Sequence, residues 1–391
     1  MDLPKIRLRI ARIGCTASCG SPLPRFCLFK ESIISKQPST QSLIVGAGLA
    51  GCSIAWRLQE AGQPFRLIGS SQLPSAVEAA AGIINPVTGR WMTKSWRFDT
   101  LATEAARFYR SIEKRFSVNV FHPIPATRFC LNAEDAKRAG RRSRNPRYAG
   151  VLGDFAEPSG HLGPFRNAHG CLHIHGAAYV DLPQVVDILR HYFSSLGRFE
   201  DAVFDYEGLK PHGSGWTYGG EHFDRVIFCE GAALRANPWF GDLPLTPAKG
   251  ETLLCRSETF PAPDGLVHHG KWLLPYPDGS FRIGATYDEQ DLRPEPTGEA
   301  RVELREAFAQ MTASPQALEV LQQPVGIRPS TRDAKPLLGR HPEVPGLFVF
   351  NGLGAKGASL APTLSREMHA FLFHAGALHP ETDIQRLFPC A

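Results

Sequence analysis

Ser42-Leu-Ile-Val-Gly46-Ala-Gly48-Leu-Ala-Gly51 decides the fold class of this chain. A short apolar run ends in Gly-x-Gly-x-x-Gly and passes directly into Cys52-Ser-Ile-Ala-Trp-Arg-Leu-Gln-Glu-Ala-Gly62. That order reads as strand, tight turn and helix, with Gly62 as the helix stop and Phe65-Arg-Leu-Ile68 as the next strand. Each glycine has a physical reason: a sharp turn, close approach of backbone to a pyrophosphate, and close helix–strand packing. The helix N-terminus then offers free N–H groups and the positive end of its dipole to phosphates. Glycines at this spacing are common. In the strand–helix setting they predict a dinucleotide site formed by Gly46, Ala47, Gly48, Leu49, Ala50 and Gly51.

Outward from this unit, the 391 residues are enough for two packed domains. Hydrophobic content of 43% and charged content of 21% suit a globular enzyme, and no uninterrupted apolar run reaches transmembrane length. The net charge of +5 comes from residues 1–40, where seven basic residues meet two acidic ones; the remainder is balanced at 36 and 36. A neutral body predicts no nucleic-acid surface. The leader, with Cys15, Cys19 and Cys27, reads either as an organelle transit peptide or as an upstream start or disordered extension. The other six cysteines have no C-x-x-C spacing, which predicts a reduced, cytoplasmic protein.

Further along, 100–116 has the period of an amphipathic helix, 121–131 of a strand region, 132–142 of a charged helix and 171–175 of a strand. Asp181 is placed to cap a helix over 182–196. Arg225-Val-Ile-Phe-Cys229-Glu-Gly231 reads as another buried strand ending at a glycine. After Pro244 the pattern turns antiparallel, with strands at 251–255, 271–274 and 281–286 and an Asp278-Gly279 hairpin turn. A helix follows at 299–311, then Gly346-Leu-Phe-Val-Phe350 as a strand, a glycine loop, and a helix over 360–374.

Several motifs in fixed order now carry a resemblance. They are the Gly46/Gly48/Gly51 loop, Ala80-Ala81-Gly82-Ile83, Cys229-Glu-Gly231 and Pro247-Ala-Lys249-Gly250-Glu251. Then come Trp272-Leu-Leu-Pro275 with Ile283-Gly284-Ala285-Thr286, Gly326-Ile-Arg328-Pro329 with Arg332-Asp333, and Gly352-Leu-Gly354-Ala-Lys356-Gly357. Together, over about residues 42–376, the chain resembles the FAD-dependent D-amino-acid oxidase family, in its glycine oxidase and sarcosine oxidase-like branch. Gly82-Ile-Ile-Asn-Pro86-Val-Thr-Gly89-Arg90 resembles a less characterised subgroup. The resemblance implies an α/β chain: a Rossmann-type FAD-binding domain (41–120, 166–245, 323–391) interleaved with an antiparallel-sheet α+β substrate domain (121–165, 246–322).

It also implies non-covalent FAD along Ala81, Gly82 and Ile83, with Gly231 beside it. Gly352, Leu353, Gly354, Ala355, Lys356 and Gly357 would sit at the flavin's pyrimidine edge, where a helix dipole stabilises negative charge. Lys356 would either sense that edge or simply be solvated. The family's acid for the adenosine ribose should fall at Gly69, so Ser70 or Ser71 would substitute or the contact is lost. The lysine that helps oxygen react in one branch corresponds to Arg282, and the active-site tyrosine of glycine oxidase-like members to Trp272.

The chemistry so implied asks little of side chains. A hydride leaves the amine-bearing carbon for flavin N5, and water hydrolyses the resulting imine. A carboxylate clamp is needed to hold the substrate, and Arg328 is the candidate because its planar fork can form two parallel charge-assisted bonds. The alternative for Arg328 is a structural pair with a protein carboxylate such as Asp333; Arg332 reads as structural or a rim contact. His173 and His175 share a strand face but lack further ligands nearby, so no metal is expected. His268-His269 reads as an exposed loop, in contact with substrate or merely solvated. The predicted partner is a small carboxylate-bearing amine, with O2 or another acceptor taking the electrons. The alternatives are a dehydrogenase with a non-oxygen acceptor, a tRNA carboxymethylamino-uridine-modifying oxidase, and a flavin-binding assembly protein without turnover.

Overall fold

A computed structural model describes residues 42–313 and 317–388. The leader, Cys390 and the expectations attached to them lie outside the described residues. Two sheets organise the rest. The first has six strands in the order Phe199–Glu200, Phe65–Ile68, Ser42–Val45, Arg225–Phe228, Leu347–Asn351 and Leu337–Arg340. Its first five strands are parallel and the last is antiparallel. Ser42–Val45 is central and wholly buried. Its side chains therefore alternate into two cores: Ile44 packs with the helices, while Leu43 and Val45 pack on the other face with Phe223 and Phe228.

On the helical face, Leu49–Glu60 packs against Gly357–Phe373, which in turn packs against Phe98–Phe116. Tyr109 fixes that second contact by donating its hydroxyl to the Ala358 carbonyl at 2.9 Å. Arg57 ties all three helices together, donating to Glu104 at 2.6 Å and to the Pro362 carbonyl at 3.1 Å. Pro362, in the second turn of the last helix, lacks the N–H that would reach the Ala358 carbonyl, and the Tyr109 hydroxyl takes that acceptor instead.

The second sheet has nine strands. Ala248–Arg256 is its longest; Val325–Arg328 pairs with the first half of it and Glu319–Gln322 with the second. Phe281–Gly284, Lys271–Pro275, Leu266–His269, Ala126–Phe129, Cys171–Ile174 and Leu152–Ala156 follow in that order. All pairings are antiparallel except Leu266–His269 with Ala126–Phe129. The hairpin turn at Asp278-Gly279 is present, with Gly279 at φ 81° and the Asp278 carboxylate accepting from the Ser280 N–H.

Three sequence expectations change. The strand at 171–174, assigned to the nucleotide-binding part, pairs in the nine-stranded sheet, because Cys171, Leu172 and Ile174 bury there against Ala126–Phe129 and Leu152–Ala156. Val325–Arg328 likewise pairs with Ala248–Glu251 of the substrate sheet, not with the nucleotide-binding one. His268 and His269 lie on a strand in that sheet, not on an exposed loop. The helix after the first glycine turn starts at Leu49 and the last helix at Gly357, both closer to their glycine loops than the periodicity indicated.

Candidate active site

A cavity of about 690 Å³ runs from the first glycine loop, between the two sheets, to Arg328. Its volume lies in the range of ligand pockets, roughly 300–1,000 Å³. Two helix N-termini open on it, Leu49–Glu60 at one end and Gly357–Phe373 along the wall. Neither has a side-chain cap or an acid in its first turn. By contrast, the helices Ala133–Ser143, Leu182–Ser195 and Gly298–Met311 are capped by Asn132, Asp181 and Thr297. Uncapped N–H groups facing a cavity are suited to an anionic ligand, and each terminus contributes about 0.3–1 kcal/mol toward a nearby negative charge.

The glycines divide by role. A Cβ on Gly48 would meet nothing within 4 Å, so this residue leaves room in the cavity itself. A Cβ on Gly51 would come within 1.8 Å of the Gly46 carbonyl, and one on Gly46 within 2.4 Å of the Cys229 carbonyl. These two hold the turn against its neighbours. Gly82, at φ 62°, lies flat on strand Ala178–Val180, and its carbonyl accepts the Val180 N–H at 3.1 Å. This pins Ala81, Gly82 and Ile83 in the cavity wall.

At the far end Arg328 is held by backbone alone. Its Nη1 donates to the Lys249 carbonyl at 3.1 Å and its Nη2 to the Thr286 carbonyl at 3.2 Å, with Tyr287 stacked at 5.7 Å. No carboxylate pairs with it among the described residues, and burial lowers its pKa. Asp333, the partner it could have had, is bound by Arg386 instead. Gly250 makes the arrangement possible: a Cβ there would sit 2.0–2.3 Å from the guanidinium atoms. Behind this wall Lys249 is 2% exposed and pairs with Asp291 at 3.1 Å and Glu251 at 3.6 Å. Glu251 also accepts from Thr297 and Gln323, so the loop supplying Thr286 and Leu292 is fastened to the sheet.

Of the residues singled out in the sequence, Gly46–Ala50, Gly69, Ser70, Ala81–Ile83, Gly231, Trp272, Arg328, Leu353, Gly354, Ala355 and Gly357 form the cavity wall. Arg282 does not. Its Nη1 donates to the Ala80 carbonyl at 3.4 Å, bracing the Ala80–Gly82 segment from behind. Lys356, Gly51 and Gly352 are also outside the wall; burial, then Lys335, lowers the Lys356 pKa. Trp272 lies across Gly284, where a Cβ would come within 2.4 Å of the indole. Gly69 touches the Ala47 backbone: a Cβ there would be 2.4 Å from the Ala47 nitrogen. Ser70 accepts from the Gln72 N–H and Ser71 is bound to Asp201.

Sequence reading missed Arg190, Tyr206 and Glu230, which also line the cavity. Arg190 donates to the Ala47 carbonyl at 2.8 Å from the middle of a helix whose period marked only its apolar face. Glu230 had a signal, an acid two residues after the end of the strand Arg225–Phe228, whose last three residues are buried. His173 and His175 are exposed, and no group of three metal-ligating side chains forms among the described residues. His268 accepts from the Asn85 amide at 3.0 Å, and burial together with Arg128 pushes its pKa down to about 4. No helix among the described residues is long and apolar enough to cross a membrane.

The protein family described as FAD dependent oxidoreductase, DAO, matches residues 42–370. Among curated relatives, glycine oxidase of Pseudomonas aeruginosa is 24% identical over 356 residues, covering 84% of this chain and 93% of its own length. The tRNA 5-methylaminomethyl-2-thiouridine biosynthesis bifunctional protein MnmC of Marinobacter nauticus is 25% identical over 376 residues, 88% of this chain and 59% of that protein. Among solved structures, iminodiacetate oxidase from Chelativorans sp. BNC1 aligns with a TM-score of 0.73 at 20% identity, covering 89% of this chain and 99% of that one. The glycine loops, the uncapped helices and the two-sheet architecture agree with that match: the chain belongs to the DAO family of FAD-dependent oxidoreductases.

Proposed function

We propose that this enzyme oxidises a small amine that carries a carboxylate. The observation that carries the reading is Arg328, a half-buried guanidinium in the cavity wall, held by two carbonyls and given no carboxylate by the described residues. Two of its five N–H groups are so used, and the remainder are available to an anion from the substrate. Each such charge-assisted bond contributes about 1.5–3 kcal/mol. Trp272 and Ile83 wall the same end and exclude water from the substrate carbon.

Held along Gly46–Ala50, Ala81–Ile83 and Gly354–Ala355, FAD would supply a two-electron acceptor for a hydride from the amine-bearing carbon. The chain's part is positional: Arg328 fixes the carboxylate, and the wall sets which face of the carbon meets the cofactor. The amine nitrogen loses a proton as the C=N bond forms, and water then hydrolyses the imine to carbonyl product and free amine. Reoxidation would be by O2, with peroxide as product, or by another acceptor.

The test is an absorbance spectrum followed in air while glycine, sarcosine, iminodiacetate and larger amino acids are added. Bleaching with recovery and peroxide release supports the oxidase; bleaching without recovery supports a dehydrogenase. An unchanged spectrum across the panel sinks the small-amine reading.

A second reading places the amine on a tRNA nucleoside, as the name of the MnmC relative suggests for that protein. One surface favours it: Trp91 is 55% exposed, with Arg90 at 4.6 Å and Arg138 at 4.8 Å over its ring. Aromatic and arginine groups of this kind stack on single-stranded bases. Absence of tRNA binding at low salt removes this reading.

A further inference from the structure

At the glycine-loop end of the cavity, Gly69 follows the second parallel strand, Phe65–Ile68. An acid at the end of the second parallel strand is impossible here, because residue 69 lies on Ala47 with no room for a Cβ. Neither serine beside it supplies a carboxylate: the Ser70 oxygen accepts the Gln72 N–H and keeps only a neutral hydroxyl, and Ser71 is bound to both oxygens of Asp201. A donor-rich ribose at this end would find no acid on that strand.

On the opposite wall stands Glu230, between strand Arg225–Phe228 and the turn Gly231–Ala236. Its Cα is 3.1 Å from where a Gly46 Cβ would be, which puts it beside the first glycine of the loop. Its two oxygens have fixed neighbours: Tyr206 donates its hydroxyl to Oε1, and the Asn237 amide donates to Oε2 at 2.8 Å. The Asn237 amide cannot turn, since its own oxygen accepts the Trp239 and Phe240 N–H groups at 2.9 Å. No cation pairs with Glu230 among the described residues, and burial raises its pKa. A carboxylate accepts about four hydrogen bonds, so this one retains open lone pairs at the cavity wall. A half-buried acid held this firmly and left incomplete is suited to a ligand that donates.

We propose that Glu230, held by Tyr206 and Asn237, receives the ribose hydroxyls of FAD's adenosine half in place of the acid absent at position 69. This rests on FAD dependence and not on the amine reading, so failure of either leaves the other standing. Glu230 is a binding residue with no part in the chemical step.

The test compares apoprotein of the natural chain with Glu230→Gln and Glu230→Ala. FAD affinity is read by fluorescence quenching, and ADP and 2′-deoxy-ADP are titrated as displacers. Gln preserves shape, and the Tyr206 hydroxyl can turn to accept from its amide. The expected result is a rise in FAD Kd of about tenfold or more in both variants, with the apoprotein melting temperature unchanged for Gln. The natural chain is expected to prefer ADP over 2′-deoxy-ADP, and Glu230→Gln to lose that preference. An unchanged FAD Kd overturns the proposal. So does an FAD loss that comes only with a lowered melting temperature and equal losses for ADP and its deoxy form, which is what a purely structural role would give.

Discussion

The two ends of the cavity are built on different principles. At the glycine-loop end the surface suited to phosphate is main chain: Gly46–Ala50 and the helix behind them come from one short stretch. At the Arg328 end the wall is side chains positioned by distant strands, with the guanidinium from 328, its acceptors from 249 and 286, and its clearance from Gly250. Backbone amides exist whatever the sequence, so that surface needs only the absence of side chains, whatever Glu230 adds beside it. The second needs particular side chains and a register that brings them together. The first end suits a cofactor shared across a family, and the second can be re-cut for a new substrate.

The strongest challenge to this contrast is Gly48→Val. The site has open space, so the apoprotein is expected to fold with an unchanged melting temperature, yet the side chain fills the volume proposed for pyrophosphate. FAD affinity is expected to fall by about a hundredfold or more, read as flavin absorbance after dialysis. A fully yellow protein would show that main-chain amides are not what holds the cofactor.

Arg328→Lys probes the other end. Lys cannot reproduce the fork, so substrate or acetate binding is expected to weaken by roughly tenfold to a hundredfold, with flavin content untouched. Unchanged kinetics would return Arg328 to a structural role. Gly250→Ala sharpens the same point without removing the charge. Its Cβ displaces the guanidinium, so a milder loss of about tenfold is expected in kcat/KM, again with full flavin. Equal loss of flavin in either variant would mean that the two ends are not independent.

The smallest effect is the pH dependence that His268 contributes from the substrate sheet. His268 is neutral in the fold and titrates near 4, against about 6.5 in the unfolded chain. Between these values the unfolded state binds more protons, so stability falls as pH drops from about 6.5 to 4. His268→Gln keeps an acceptor for Asn85 and is expected to flatten that part of the melting-temperature profile. An identical profile in the variant would assign the acid sensitivity to other groups.

How much was legible follows from this difference between ends. The loop at 46–51 could be read because turn, helix start and phosphate-facing amides lie within six residues. Arg328 was singled out from motif position, yet its freedom from Asp333 depended on Arg386, more than fifty residues away in sequence. Arg282 was misjudged because strand position does not say which side chain reaches the cavity; its guanidinium supports Ala80 instead. Glu230 was visible but unread, since an acid beside a glycine means nothing until Tyr206 and Asn237 are seen to close on it.

The sequence by itself determined the fold class, the nucleotide-binding turn and several strands of each sheet, because these depend on periodicities and turn residues a few positions apart. Only the tertiary structure decided which strands pair, which cations face the cavity and which are occupied elsewhere. Those outcomes depend on contacts between residues tens to hundreds of positions apart, where packing and competition for partners override any local pattern.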